Sequence, residues 1–320
     1  MFSTRCKLLL DWYGEHGRDL PWRQTHDPYR IWVSEIMLQQ TQVKTVLPRY
    51  PGWFDQFPDI RSLADASLDD VLKRWEGLGY YRRARLMHQT SRQIVSVHDG
   101  KFPAAFDAIM ALPGIGRSTA GAIDSFCFAA NTPVLDGNVK RVLKRWHGKL
   151  NLADKALWQL AQQGIDTSGQ PANWNQAMME LGATVCAAKS ADCNACPVQT
   201  YCASAFQVDY SAESRRSAPA RHVHWQVQIH RCPQKGIWLR QRPASGIWAG
   251  LWTPPIIELE GAPDSAPAHI HQLTHRRIHL YPLLTDATPA GAGRWVRCIE
   301  SYALPTGIHR LFEKTDFKLR

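Results

Sequence analysis

Leu112-Pro113-Gly114-Ile115-Gly116-Arg117-Ser118 decides the fold of this chain. Apolar residues recur at helical spacing on both sides of it, and the proline and two glycines between them force a sharp turn. Such a turn leaves backbone N–H groups uncovered, and with the N-terminus of the following helix they can hold a phosphate. This is a helix–hairpin–helix signature; a plain helix corner is the alternative reading. Working outward, helices are predicted over Ile31–Leu47, Leu68–Glu76, Thr119–Ala129 and Asn138–Trp146, the first entered through Asp27-Pro28. Residues 1–210 therefore read as a mainly α domain with the hairpin at about 108–125.

Beyond residue 210 the pattern changes. Ser211–Ala220 is small, polar and basic, and a linker is expected over 211–222. His222–Ile229 then alternates polar and apolar residues, and Gly236–Leu239 and Ile278–Tyr281 also read as strands. Glu260–Ala268, rich in Pro, Ala and Gly, reads as a loop, so residues 223–320 are expected to form an α+β domain.

The 320 residues carry a net charge of +10, and fifteen Lys and Arg against eight Asp and Glu put +7 of it in residues 211–320. That balance fits a polyanionic partner. No apolar run has the length of a membrane span and the first residues lack the apolar stretch of a signal peptide, so a cytoplasmic protein without disulfides is expected; a monomer is expected as well.

Four of the eight cysteines, Cys186, Cys193, Cys196 and Cys202, fall in a C-x6-C-x2-C-x5-C pattern. Thiolates this close in sequence can converge on one metal centre, and with no histidine nearby the spacing allows zinc or an iron–sulfur cluster. Cys6, Cys127, Cys232 and Cys298 are scattered and read as ordinary thiols.

Two carboxylates carry candidate chemistry. Glu35 sits in the apolar run Ile31–Leu38, where burial raises a carboxyl pKa and suits it to general-acid work; an exposed helix position is the alternative. Asp136 in Leu135-Asp136-Gly137-Asn138 begins a helix, so its simplest role is an N-cap, and its functional role is an anion beside a distorted DNA backbone. Lys140, Arg141, Lys144 and Arg145 follow at helical spacing as a basic face.

At this point the sequence resembles adenine DNA glycosylases of the MutY type, within the endonuclease III superfamily. The resemblance rests on Asp19–Arg23, Trp32–Thr41, Gly77–Tyr81, Leu112–Gly121, Leu135–Arg141, Asn175–Ala183 and the four cysteines, nearly all of residues 10–205. It implies a helical domain in two lobes around a DNA cleft and a [4Fe–4S] cluster on Cys186, Cys193, Cys196 and Cys202. It also implies a hydrolase that flips adenine from an A:8-oxoguanine or A:G mispair and cuts its glycosidic bond. Glu35 would take the general-acid position and Asp136 the cation-stabilising one, with Asn138 orienting Asp136 and water. Arg18, Trp22, Arg23 and Glu180 would contact the extruded adenine. Gln40, Thr41, Leu78 and Tyr80 would fill or flank the space around the opposing base, and Gly114, Gly116 and Ser118 would meet the DNA at the hairpin.

Trp238–Trp252 resembles the opening of the MutT-like, Nudix-related domain of that family. The glutamate-rich helix of a pyrophosphohydrolase is absent after Trp252, so lesion recognition, not hydrolysis, is expected of residues 223–320. Leu273-Thr274-His275 would be the stretch that probes oxidised guanine, with Leu where the family has an aromatic wedge.

Two other readings compete. An endonuclease III-like glycosylase/lyase would need a lysine amine in the hairpin, where Ser118 stands. A non-catalytic iron–sulfur DNA-binding protein would have no need of Glu35 and Asp136.

Overall fold

The computed structural model describes residues 2–207 and 219–315. The linker expected over 211–222 lies outside the described residues as far as 218; Arg221 already belongs to a strand.

Thirteen α-helices occur among the described residues: α1 (Phe2–His16), α2 (Pro28–Leu38), α3 (Val43–Val46), α4 (Tyr50–Gln56), α5 (Ile60–Asp65), α6 (Leu68–Arg74), α7 (Arg82–His98), α8 (Phe106–Met110), α9 (Arg117–Phe128), α10 (Gly137–Trp146), α11 (Asp154–Ser168), α12 (Pro171–Thr184) and α13 (Thr306–Lys314). The strands are β1 (Arg221–Cys232), β2 (Gly236–Gln241), β3 (Trp252–Thr253), β4 (Ile256–Leu259), β5 (His269–Gln272), β6 (Arg276–Thr285) and β7 (Arg294–Val296).

Two compact units emerge, Met1–Arg61 with Gln89–Arg215, and Ser62–His88 with Arg216–Arg320. The first is all helical. Its core gathers Leu9, Val139, Leu143, Trp146, Leu157, Trp174 and Leu181, contributed by α1, α10, α11 and α12. Gly164 of α11 meets the ring of Trp174, where an added Cβ would stand 2.1 Å from a ring carbon, so the two helices pack only with glycine there.

The expected single helix over Ile31–Leu47 is two. Helix α2 ends at Leu38, Gln40 takes a left-handed φ of 55°, and α3 starts at Val43. Periodicity missed the break because Gln39-Gln40-Thr41-Gln42 contains no glycine or proline to announce it. The hairpin is as read: α8 and α9 flank Leu112–Gly116, and Gly114 carries a φ of 79°.

In the second unit, β1 and β6 run parallel from Arg221↔Arg276 to His230↔Thr285, and β5 pairs antiparallel with β6. β1 also pairs antiparallel with β4 over His224–Val227 and with β2 at Arg231 and Cys232, and β2 in turn pairs with β3 and β7. Alternate residues of β1, Val223, Trp225, Val227 and Ile229, turn into a core that Ile308, Leu311 and Phe312 of α13 help to close. This is the mixed α+β architecture expected. Residues 62–88 join it through side chains: Asp69 accepts from Gln241 at 3.0 Å and from the Trp252 indole at 3.2 Å, Arg85 donates to the carbonyl of Ala249 at 2.8 Å, and Glu76 pairs with His309.

Candidate active site

One cavity of about 530 Å³ in the helical unit brings the candidate carboxylates and the expected adenine-contacting residues together: Arg18, Trp22, Arg23, Glu35, Thr41, Asp136, Asn138 and Glu180 all line it. Glu35 comes from α2. Its neighbours Ile31, Trp32, Val33, Ile36 and Met37 are core, which leaves its carboxyl facing the cavity from an apolar helix. No hydrogen bond or ion pair holds that carboxyl among the described residues. Burial, and secondarily the negative charge of Asp136, push its pKa up to about 8.

Asp136 is held. It caps α10, with Oδ1 accepting from the Val139 N–H at 2.8 Å and Oδ2 accepting from Asn138 Nδ2 at 3.1 Å. Burial raises its pKa, and these donors oppose the rise. The positive end of the α10 dipole favours an anion at the same place. The Oδ1 of Asn138 accepts from Arg141 at 2.8 Å, which fixes the amide orientation because a guanidinium can only donate. Arg141 also donates to the carbonyls of Gly182 and Cys186.

Three further residues set the loop that delivers Asp136, and sequence reasoning gave none of them this part. Buried Asn175 of α12 donates to Ser125 and to the carbonyl of Thr132, and accepts from the N–H of Val134 at 3.0 Å. Ser118 accepts from the N–H of Leu135 at 3.2 Å, so its hydroxyl ties the hairpin to the residue before Asp136. Gly182 lets α12 touch Asn138, where an added Cβ would lie 2.6 Å from the Asn138 Cβ. Their partners lie 17 to 50 residues away along the chain, so local pattern carries no trace of them.

The opposite wall is a charged clamp. Glu180, 1% exposed, accepts from Arg18 through both carboxylate oxygens, at 2.6 and 2.8 Å, and from Arg23 at 2.7 Å. Burial alone would raise its pKa, but the two guanidinium groups outweigh it and hold the carboxyl below its usual range. Trp22 packs edge-on against Tyr50, with ring centroids 5.2 Å apart.

The residues expected around the opposing base divide. Thr41 lines the cavity and Gln40 is exposed. Leu78 and Tyr80 belong to the second unit, where Leu78 is buried while Tyr80 is 51% exposed with a φ of 46°. Thr274 and His275 form the exposed tip between β5 and β6, and the Thr274 hydroxyl lies 2.9 Å from that of Tyr80. Leu273 packs against the core beneath them. At the hairpin, Gly114 and Gly116 are exposed.

The four clustered cysteines ring one small cavity, together with Arg145 and Trp146 of α10. Arg145, 1% exposed, donates to Cys186 Sγ at 3.3 Å and to the carbonyl of Ala187 at 2.8 Å. The N–H of Phe206 points to Cys193 Sγ at 3.3 Å. Burial, with the charges of the other three cysteines behind it, pushes the Cys196 thiol up to about 12. Among the described residues no group of three or more His, Cys, Asp or Glu side chains is set to hold a metal ion.

Residues 33–163 match the model of the HhH-GPD superfamily base excision DNA repair proteins, and residues 226–314 match a NUDIX domain. The thermostable thymine-DNA glycosylase of known structure superposes with a TM-score of 0.60 at 27% identity, over 64% of this chain and 98% of that one. These place the chain in the helix–hairpin–helix class of DNA glycosylases. The adenine DNA glycosylase of Buchnera aphidicola from Schizaphis graminum is 33% identical over 88% of this chain and 87% of its own length. That from Acyrthosiphon pisum is 35% identical over 87% and 85%. The chain belongs to the adenine DNA glycosylase family. No helix among the described residues is long and apolar enough to cross a membrane.

Proposed function

We propose that this chain is a monofunctional, monomeric base-excision enzyme that releases adenine from duplex DNA where it faces 8-oxoguanine or guanine. The observation that carries the reading is the unequal pair of carboxyls in one pocket: Glu35, unpaired and pushed up to about 8, and Asp136, held by Val139 and Asn138. A group with that pKa is protonated at neutral pH and can give its proton to adenine N7. Protonation makes the base a leaving group: the C1′–N9 bond breaks, its electron pair goes to the base, and the sugar takes on oxocarbenium character. Asp136 faces that charge as a carboxylate, and water adds to C1′ with loss of a proton. Asn138, held by Arg141, keeps Asp136 in place. The Arg18–Glu180–Arg23 clamp and Trp22 supply donors and a flat wall for a flipped base.

Cys186, Cys193, Cys196 and Cys202 hold a [4Fe–4S] cluster in this reading. A four-iron cluster spans more than one ion and takes thiolates set around a cavity, as these are. Its chemistry here is structural, bracing the loop that Arg141 and Arg145 anchor. Residues 223–320 read the opposing lesion, through Thr274 and His275 with Tyr80; Gln40, Thr41 and Leu78 flank it. Gly114, Gly116 and Ser118 meet the backbone. Single-turnover assays on duplexes with A:8-oxoguanine, A:G, A:T and oxidised pyrimidines test the proposal. Release of adenine from the first two supports it, and release of oxidised pyrimidines with strand cleavage overturns it.

A further inference from the structure

Three cationic residues line the cavity that holds Glu35 and Asp136: Arg18, Arg23 and Lys44. They are not equivalent. Arg18 and Arg23 are committed to Glu180, at 2.6 and 2.7 Å. Lys44 of α3 makes no hydrogen bond or ion pair among the described residues. It is exposed and still lines the cavity, which puts it at the rim. Its charge is not spent on the acids either. Burial and Asp136 shift the Glu35 carboxyl, and burial opposed by Val139, Asn138 and Arg141 shifts that of Asp136; Lys44 has no part in either. The break after α2 delivers it: Gln40, with its φ of 55°, ends that helix, and Thr41, Gln42, Val43 and Lys44 follow along the cavity. A local duty is hard to find for it. A cation in the last turn of a helix meets the negative end of the dipole, but α3 has four residues and little dipole to complement.

What arrives at the rim supplies the duty. A base cannot enter the cavity alone; its sugar and the two phosphates beside it come to the same mouth. Those phosphates approach a site that already contains Asp136 and Glu180, and like charges oppose them. Among the described lining residues, Lys44 is the one cation left to answer them. Its ammonium is a compact point charge on a four-carbon stem, suited to follow a phosphate through the swing of a nucleotide. We infer that Lys44 Nζ binds a phosphate flanking the extruded adenosine and so holds the nucleotide out of the helix. The inference rests on the reading that the flipped base enters this cavity. Lys44 is a positioning residue, since it touches the backbone and not the C1′–N9 bond. The contact exists with the nucleotide extruded and not with it stacked, so it shifts that equilibrium toward the extruded state. A phosphate carries no base identity, so the effect is the same opposite 8-oxoguanine and opposite guanine.

The test pairs a change in the full-length protein with a change in the DNA. Lys44→Gln removes the ammonium, and a methylphosphonate on one side or the other of the target adenosine removes one phosphate charge. Binding is read by fluorescence anisotropy on duplexes whose target is 2′-fluoroadenosine, which resists excision, and base release by single-turnover kinetics on the natural nucleotide. Lys44→Gln should weaken binding about three- to tenfold and flatten the slope of log affinity against log salt by about 0.9, the mark of one lost phosphate contact. Base release should slow by the same factor on A:8-oxoguanine and A:G, and Lys44→Arg should restore affinity, slope and rate. At one of the two flanking positions the methylphosphonate should bring wild type down to the level of Lys44→Gln and cost that variant nothing more. Additive losses at both positions, an unchanged salt slope, or no rescue by Lys44→Arg overturns the inference while wild type still releases adenine. A wild type that releases no adenine from either mispair overturns the reading of the cavity and the inference with it.

Discussion

Glu35 and Asp136 line the same pocket, yet only Asp136 is held by hydrogen bonds, and its charge helps to keep the proton on Glu35. Burial raises the pKa of both carboxyls, but only Asp136 has donors that oppose the rise, so the two differ in how firmly a charged form is held.

The first prediction concerns pH. The rate of base release should fall as pH rises through about 8, where Glu35 loses its proton. Glu35→Gln should abolish release while duplex binding persists, as read by single-turnover kinetics and gel shift; a rate equal to wild type would send the search to another acid. Stability gives an independent reading. The folded pKa lies above the unfolded one, so the folded state holds the extra proton and stability declines as pH rises from about 4.5 to about 8. Glu35→Gln should remove that decline, and its melting temperature should gain on wild type at pH 8 compared with pH 5.

A second prediction concerns Asn175, which never touches the cavity. Asn175→Ala leaves the Val134 N–H without its acceptor and should cost about 1–3 kcal/mol in denaturant unfolding. Because the loop it ties delivers Asp136, kcat should drop while duplex affinity holds. An unchanged kcat would mean that Ser118 and Asn138 suffice to place the carboxylate.

The cluster assignment is read by metal analysis. The purified protein should be brown and carry about four irons. Zinc without iron would defeat it. Arg145→Leu should lower iron content, since it removes the buried donor to Cys186 Sγ and to Ala187.

Lesion preference should rest on the Tyr80–Thr274 pair. Tyr80→Phe and Thr274→Val each remove one hydroxyl of the 2.9 Å contact. Each should lower the rate on A:8-oxoguanine more than on A:G, and the double variant should cost less than the two losses combined. His275→Ala should act in the same direction, less strongly. Equal losses on both mispairs would make this tip a generic clamp.

The product should be an intact strand with an abasic site, little of it trapped by borohydride, because Ser118 cannot form an imine. Ser118→Lys would place an amine there but would strip the Leu135 N–H of its acceptor, so any lyase activity gained should come with slower base release. Efficient nicking by the unmodified chain without alkali would restore the bifunctional alternative.

Much of this was readable in the chain. Pro113, Gly114 and Gly116 announce the hairpin, the cysteine spacing announces four thiols around one small cavity, and alternation from His222 announces β1, because each rests on local chemistry. Glu35 could be picked out from its apolar neighbours. The break at Gln39–Gln42 carried no breaker residue. The ties of Asn175, Ser118 and Gly182 to the Asp136 loop are tertiary, and a sequence states them only once the fold is known.

The partners of residues 62–88 bear on the order of events at the ribosome. Asp69, Glu76 and Arg85 find Gln241, His309 and Ala249 more than 160 residues further on. At ordinary synthesis rates those partners emerge on the order of ten seconds later. For that interval α6 and the turn carrying Tyr80 are finished as peptide but not as structure. A stop codon between the cysteines and Gln241 would therefore damage a region made long before it, and a clone lacking residues 223–320 should draw proteases to 62–88, not to its new end.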